Sequence, residues 1–111
     1  MSTTEDATDG VTVTEAPDRR RFEVRVGGEL AGFSRYEVRD GAYAFLHTEI
    51  DPAFEGQGLG SRLVRVALEE MRRRGTAVLP YCPFVRSFIE AHHDYLDLVP
   101  RDSRERFALP E

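Results

Sequence analysis

Chemistry enters this sequence at His47-Thr48-Glu49. On an extended strand, residues two apart share a face, so the imidazole and the carboxylate would stand side by side. Either is a candidate general base, taking a proton from a reacting group directly or through one water. An unperturbed histidine titrates at about 6.5 and needs little tuning for that work near neutral pH; a glutamate, at about 4.3, needs a raised value or a water relay. The alternatives are a hydrogen-bonded structural histidine and a strand-end surface carboxylate. Cys82 is the one cysteine. A single thiol excludes an intramolecular disulfide and a cysteine-based zinc cage, and no metal site is expected. Two readings of Cys82 stand: a nucleophile, given a base such as His47 to form the thiolate, or a small buried apolar residue.

Between these groups lies Phe54-Glu55-Gly56-Gln57-Gly58-Leu59-Gly60-Ser61, with glycine at every second position from 56 to 60. Backbone N–H groups converge in such a run without side-chain obstruction. Where the run opens a helix, the first turn adds unpaired N–H groups and a partial positive charge. Together these suit a phosphate or diphosphate; the plainer reading is a linker that needs unusual φ values. Two phosphate-binding patterns are excluded. A Walker A loop needs Gly-Lys-Ser/Thr, and the chain has no lysine. A dinucleotide fingerprint needs a third glycine where Ser61 stands, after the first strand of a parallel unit.

The elements that must position these residues are legible from periodicity. Arg21–Val26 alternates apolar and polar residues as a strand does. Gly27-Gly28 is a hairpin signal, and residues 30–38 are the predicted return strand. Asp40-Gly41 is a second turn signal, and Ala42–Ile50 the third strand, ending at Asp51-Pro52. Over residues 58–74 the period becomes helical, with Leu59, Leu63, Val66, Leu68 and Met71 on one side and Arg62, Arg65, Glu69, Arg72 and Arg73 on the other. Gly75 ends it. Residues 76–81 read as a buried strand; a right-handed crossover makes it parallel to the third. Residues 84–92 form a second predicted helix with Phe84, Phe88 and Ile89 inward, and Tyr95, Leu96, Leu98 and Val99 close the core. The expected architecture is α/β in the order β-β-β-α-β-α.

The chain has 111 residues, one domain's worth. Residues 1–17, rich in Thr, Asp and Glu, read as a disordered acidic tail, and residues 101–111 as a flexible one in which Phe107 and Leu109 have no evident docking place. The net charge of −5 resides in the first eighteen residues, whose acids are Glu5, Asp6, Asp9, Glu15 and Asp18; the remainder is balanced. A balanced domain has no bulk field to attract nucleic acid, so Arg72, Arg73 and Arg74 read as cations at a helix C-terminus. No apolar run approaches the roughly 20 residues that span a bilayer, and no signal peptide is evident. The expectation is a cytoplasmic protein without membrane or nucleic-acid partners and of open oligomeric state.

The motifs also resemble a known family. Glu55-Gly56-Gln57-Gly58-Leu59-Gly60 is similar to the Gln/Arg-x-x-Gly-x-Gly/Ala signature of the GNAT-type N-acetyltransferase superfamily. His47-Thr48-Glu49, Cys82-Pro83-Phe84 and the closing His93-Asp94-Tyr95-Leu96-Asp97-Leu98-Val99 resemble marks of its short single-domain YjdJ-type branch. The resemblance implies an acyltransferase domain over residues 18–100, with acetyl-CoA as acyl donor and an amine, of a small molecule or a protein, as acceptor. It implies coenzyme binding by Ile50, Glu55, Gly56, Gln57, Gly58, Leu59, Gly60, Ser61, Cys82 and Phe84, and catalysis by His47, Glu49 and Cys82. The strand before the loop and the strand ending at Cys82 would splay to admit the acyl chain, bringing Cys82 near the thioester carbon. Tyr81 and Tyr95 become candidate proton donors to the departing thiolate, or core residues. Arg62 and Arg65 become candidate phosphate contacts, or a solvated face. Two features depart from the pattern: Glu55 stands where the signature has Gln or Arg, and a two-glycine hairpin replaces the helices that help build the acceptor pocket, leaving that side open. A CoA-binding module without turnover and a small interaction domain with a structural glycine loop are the competing classes.

Overall fold

The computed structural model describes residues 10–110. Five strands form one sheet in the order β1-β2-β3-β4-β5: β1 is Val11–Ala16, β2 Arg21–Val26, β3 Glu29–Arg39, β4 Ala42–Ile50 and β5 Val78–Pro80. The first four pair antiparallel, and β5 runs parallel to β4. Helix α1 (Leu59–Arg74) makes the crossover, α2 (Pro83–Ala91) follows β5, and a short α3 (Arg101–Arg104) follows a 3-10 segment at His93–Leu98. The α/β order expected over the middle of the chain is present, with an additional strand at its start.

That strand corrects the reading of residues 11–16 as disordered tail. Val11, Val13 and Glu15 are buried and alternate with half-exposed Thr12, Thr14 and Ala16. β-branched residues at period two suit a pleated surface, and β1 pairs with β2 from Val11↔Val26 to Ala16↔Arg21. Met1–Asp9 of the expected tail lie outside the described residues. At the other end Phe107 and Leu109 are buried. The Phe107 ring meets Tyr81 edge-on at 5.0 Å, and the Leu109 N–H donates to the Arg104 carbonyl at 2.8 Å. The docked unit therefore extends beyond the expected 18–100 at both ends. The closing segment is 3-10 helix, and β5 is shorter than residues 76–81.

Helix α1 ends at Gly75, which holds a φ of 67°, and lays Leu63, Val64, Ala67, Leu68 and Met71 into a core shared with Val13, Phe22, Val24, Tyr36 and Phe45. Helix α2 adds Val85, Phe88 and Ile89. Phe84, expected inward, is exposed; the first turn of α2 lies at the rim of the sheet, and Val85 takes the core position.

One irregularity in β4 decides the site. Tyr36 pairs with Phe45, but the next residue back in β3, Arg35, pairs with His47, so Leu46 is an extra residue. A bulge of this kind shifts the side-chain alternation by one. Tyr43 and Phe45 face the helices, their rings 4.8 and 5.9 Å from Tyr36. Beyond Leu46 it is Thr48 and Ile50 that face the helices, while His47 and Glu49 turn to the opposite face.

Two tyrosines are locked into the packing. Burial, and then a hydrogen bond to Glu69 (2.6 Å), push Tyr95 up to about 12. Burial, reinforced by donation to Glu15, raises Tyr36 further. A phenol whose folded value lies above the unfolded value of about 10 contributes stability that is whole below pH 10 and is lost as pH rises through the folded value. Stability should therefore fall between about pH 10 and pH 12. Phenolate absorbance at 295 nm should show Tyr36 and Tyr95 titrating late, together with unfolding; early titration of all four tyrosines in the folded state would contradict this.

Candidate active site

The loop after β4 is stiffened before it reaches the glycines. Asp51 accepts the Ala53 N–H at 2.9 Å and starts a 3-10 turn over Pro52–Phe54. Gly56 and Gly58 then hold φ of 85° and 73°, the left-handed region that side chains disfavour. Gly58 is the N-cap of α1, with no capping side chain among the described residues. The first intrahelical bond is Arg62 N–H to Gly58 O at 3.2 Å, which leaves the N–H groups of Leu59, Gly60 and Ser61 without an intrahelical acceptor. No acidic side chain lies in that first turn. An anion is the natural complement.

These N–H groups open on a cavity of about 400 Å³ lined by the loop from Phe54 to Ser61, by Thr48 and Ile50 of β4, and by Phe84 of α2. The Phe84 ring rests on Gly60: a Cβ there would lie 2.7 Å from its Cζ. At the inner end the strands part. The Cys82 N–H donates to the Phe45 carbonyl at 2.8 Å, and beyond that link α2 turns away while β4 runs on to Ile50. Alternate residues of an antiparallel pair exchange main-chain bonds. The Asp51 N–H donates to Ala31 O at 2.8 Å, so Thr48 and Ile50, paired with Ser34 and Gly32, direct their own main-chain groups into the gap. A mostly apolar cleft with main-chain amides and carbonyls along one wall, leading from the start of α1, has the chemistry to take an elongated ligand that carries an anion at one end.

Cys82 is 2% exposed, and its thiol donates to Thr48 Oγ1 at 3.4 Å. Thr48 Oγ1 lies 2.9 Å from Ser34 Oγ. His47 is elsewhere. It pairs with Glu49, Nε2 to Oε1 at 3.1 Å, on the open sheet face beside Phe33, with side-chain exposures of 59% and 62%. The expected pairing of Cys82 with His47 is absent; the bulge at Leu46 puts them on opposite faces. The structure thus groups Ile50, Glu55, Gly56, Gly58, Leu59, Gly60, Ser61 and Phe84 around one cavity, with Cys82 beneath Thr48 at its end. Gln57 and Ser61 border a neighbouring hollow of about 320 Å³ with Arg62, Arg65, Phe88 and His92. Tyr81 lies against Phe107, Arg39 and Arg106, and the Tyr95 hydroxyl is engaged by Glu69. A hollow of about 940 Å³ lies at the far end of α1 and is bordered by the ion-paired Glu15 and Arg74. Among the described residues no three His, Cys, Asp or Glu side chains gather to hold a metal ion, and no helix is long and apolar enough to cross a membrane. Sequence reasoning missed Thr48 and Phe54 as cavity residues.

The GCN5-related N-acetyl-transferase family matches residues 21–98, most of the chain. The chain belongs to this family. Six solved chains are similar to it. One is a ribosomal-protein-alanine N-acetyltransferase from Brucella melitensis biovar Abortus 2308, with 16% identity and a TM-score of 0.49, over 84% of this chain and 64% of that one. The chain spans less than two thirds of that structure's length. No curated protein sequence matches.

In this GCN5-related family member Glu55 is exposed on the cavity rim, where its carboxylate would repel an anion approaching the start of α1. Exposed charge pairs are worth about 0.2–1 kcal/mol. With acetyl-CoA, the donor this family generally uses, as titrant, Glu55→Gln should bind about 1.4- to fivefold more tightly than the unaltered protein, a gain that shrinks as salt rises, by calorimetric titration. Unchanged affinity at low salt would show that the carboxylate points clear of the ligand.

Proposed function

We propose that the protein transfers an acetyl group from acetyl-CoA to an amine. The observation that carries this reading is the continuity of the cradle at Leu59–Ser61 with a cleft that ends where β5 leaves β4, beside Thr48. Bound there, acetyl-CoA supplies an activated acyl carbon, and the chain's own residues do the rest. The main-chain N–H groups of Leu59, Gly60 and Ser61 hold the diphosphate. Thr48 and Ile50 align the arm, and Phe84 covers it.

The acceptor approaches from the open sheet face, through the gap beside β4, where His47 and Glu49 wait as a hydrogen-bonded pair. A neutral amine is the nucleophile, so the pair serves to take its proton, directly or through a water. The nitrogen–carbon bond forms, the carbon–sulfur bond breaks, and the sulfur leaves with a proton. Direct attack is favoured over an acetyl-cysteine because Cys82 is buried beneath Thr48 and His47 is not beside it. One observation speaks for the covalent route: Cys82 is the N-cap residue of α2, although its thiol makes no capping bond, and the N-terminus of a helix carries partial positive charge.

The test is thermal shift with CoA and acetyl-CoA, followed by thiol release across an amine panel. A shift with both ligands and release with some amine is expected. A shift without release would leave a CoA-binding module, and no shift would end the coenzyme reading. Intact-mass measurement after mixing with acetyl-CoA should show no added acetyl group; an adduct on Cys82 would restore the covalent route.

A further inference from the structure

We propose that the Thr48 hydroxyl is the donor that receives the thioester carbonyl oxygen, with Ser34 and Cys82 as positioning residues behind it. The inference rests on the coenzyme reading above and adds the group at which the acyl end is held.

The argument is hydrogen-bond accounting. A threonine hydroxyl has one proton and two lone pairs. Ser34 is fully buried, and among the described residues its hydroxyl has a single partner, Thr48 Oγ1, at 2.9 Å. If Ser34 accepted that bond, its own proton would be left buried without an acceptor, at full desolvation cost. Ser34 therefore donates. The Cys82 thiol donates to the same oxygen at 3.4 Å. Both lone pairs of Thr48 Oγ1 are then filled from behind by two buried donors. Its own proton has one direction left, toward the cavity that Thr48 lines with Ile50 and Phe84.

This is a preorganised donor at the inner end of the cleft. As an amine nitrogen bonds to the acyl carbon, the carbonyl π pair moves onto the oxygen, and the Thr48 O–H holds that charge. When the carbon–sulfur bond breaks, the pair returns to re-form the carbonyl. No proton leaves Thr48. A donor aimed at charge that develops during reaction acts without reorganisation. The arrangement also gives Cys82 a role that does not require it to be a nucleophile.

The test reads the carbonyl directly. Acetyl-CoA carrying a carbon-13 carbonyl is bound to the protein, and its stretching band is isolated by infrared difference spectroscopy. In the unaltered protein the band should lie below that of the free thioester. Thr48→Ser should keep the lowered band, and Thr48→Val should return it to the free position, each spectrum being taken at an acetyl-CoA concentration that calorimetric titration shows to saturate that variant. With any amine that is accepted, Thr48→Val should lower kcat roughly a hundredfold with little change in KM. Ser34→Ala, which frees one lone pair and lets the Thr48 proton turn inward, should give an intermediate band, and it keeps the proposal testable if the valine variant does not fold. A band unmoved by Thr48→Val or by Ser34→Ala, or a serine variant as impaired as the valine one, overturns the proposal. Absence of CoA binding by the unaltered protein overturns the coenzyme reading beneath it, and is seen separately, before any spectrum is taken.

Discussion

Gly60→Leu should abolish coenzyme binding and leave the fold standing. Gly60 is the second residue of α1, and an added Cβ would lie 2.7, 3.3 and 3.4 Å from three atoms of the Phe84 ring. The obstacle is the far end of an exposed side chain, so the ring swings out at small cost. Leucine is also the better helix former by about 0.5–1 kcal/mol. The melting temperature should therefore hold or rise slightly. The cradle fares differently, because a branched side chain at Gly60 stands over the N–H groups of Leu59 and Ser61. Hydrogen bonds to a charged group are worth about 1.5–3 kcal/mol each, and losing two weakens the Kd for acetyl-CoA by at least about a hundredfold. Gly60→Ala should sit between, at about tenfold. Calorimetric titration beside a thermal melt reads both halves. Full affinity in a folded leucine variant would remove the diphosphate from the start of α1, and the proposed reaction with it.

The loop was legible because its signal is local. Glycine at 56, 58 and 60 before a helical period specifies backbone that side chains would obstruct, and the elements on either side follow from periods of two and 3.6. The placement of the chemical groups was less legible. His47 and Glu49 share a face, as residues two apart must, but which face depends on Leu46. The trace of the bulge is present in Ala42–Ile50: Phe45 is buried and Tyr43 packs against the core at odd positions, while Ile50 packs against it at an even one, which fits one extra residue between them. That mismatch assigns Thr48 to the cavity and His47 to the open face. A strict alternation reads the reverse and so hides Thr48, while the nearness of Cys82 to His47 is implied by the family resemblance and not by the strand's own pattern.

The termini failed for another reason. The acids of the first eighteen residues look like a solvated tail, and composition cannot show that Glu15 is met by an arginine far away in sequence. Its carboxylate and that of Glu70 are only 3% and 4% exposed, and both are bound by Arg74, which also donates to the Tyr43 hydroxyl at 3.0 Å. Burial works against the charge on Arg74, but Glu15 and Glu70 outweigh it and hold the guanidinium above its usual range. One side chain thus ties edge strand β1 to the last turn of α1.

Arg74→Met should be the most destabilising single substitution in this network. Methionine keeps much of the volume but leaves Glu15, among the described residues, with only the Tyr36 hydroxyl, while Glu70 retains the more exposed Arg73. An uncompensated buried charge costs about 3–5 kcal/mol, which in a domain of this size lowers Tm by at least about 12 °C. If the loss comes from the stranded charge and not from packing, then adding Glu15→Gln should recover part of it. The double variant should melt above Arg74→Met alone, although Glu15→Gln by itself is destabilising. A double variant that melts at the sum of the single losses would show that the pair is not coupled. Well below its melting temperature, the folded Arg74→Met protein should bind CoA within about twofold of the unaltered chain. The tie lies at the C-terminal end of α1 and the cradle at its N-terminal end, so the helix separates what stabilises the sheet from what holds the ligand.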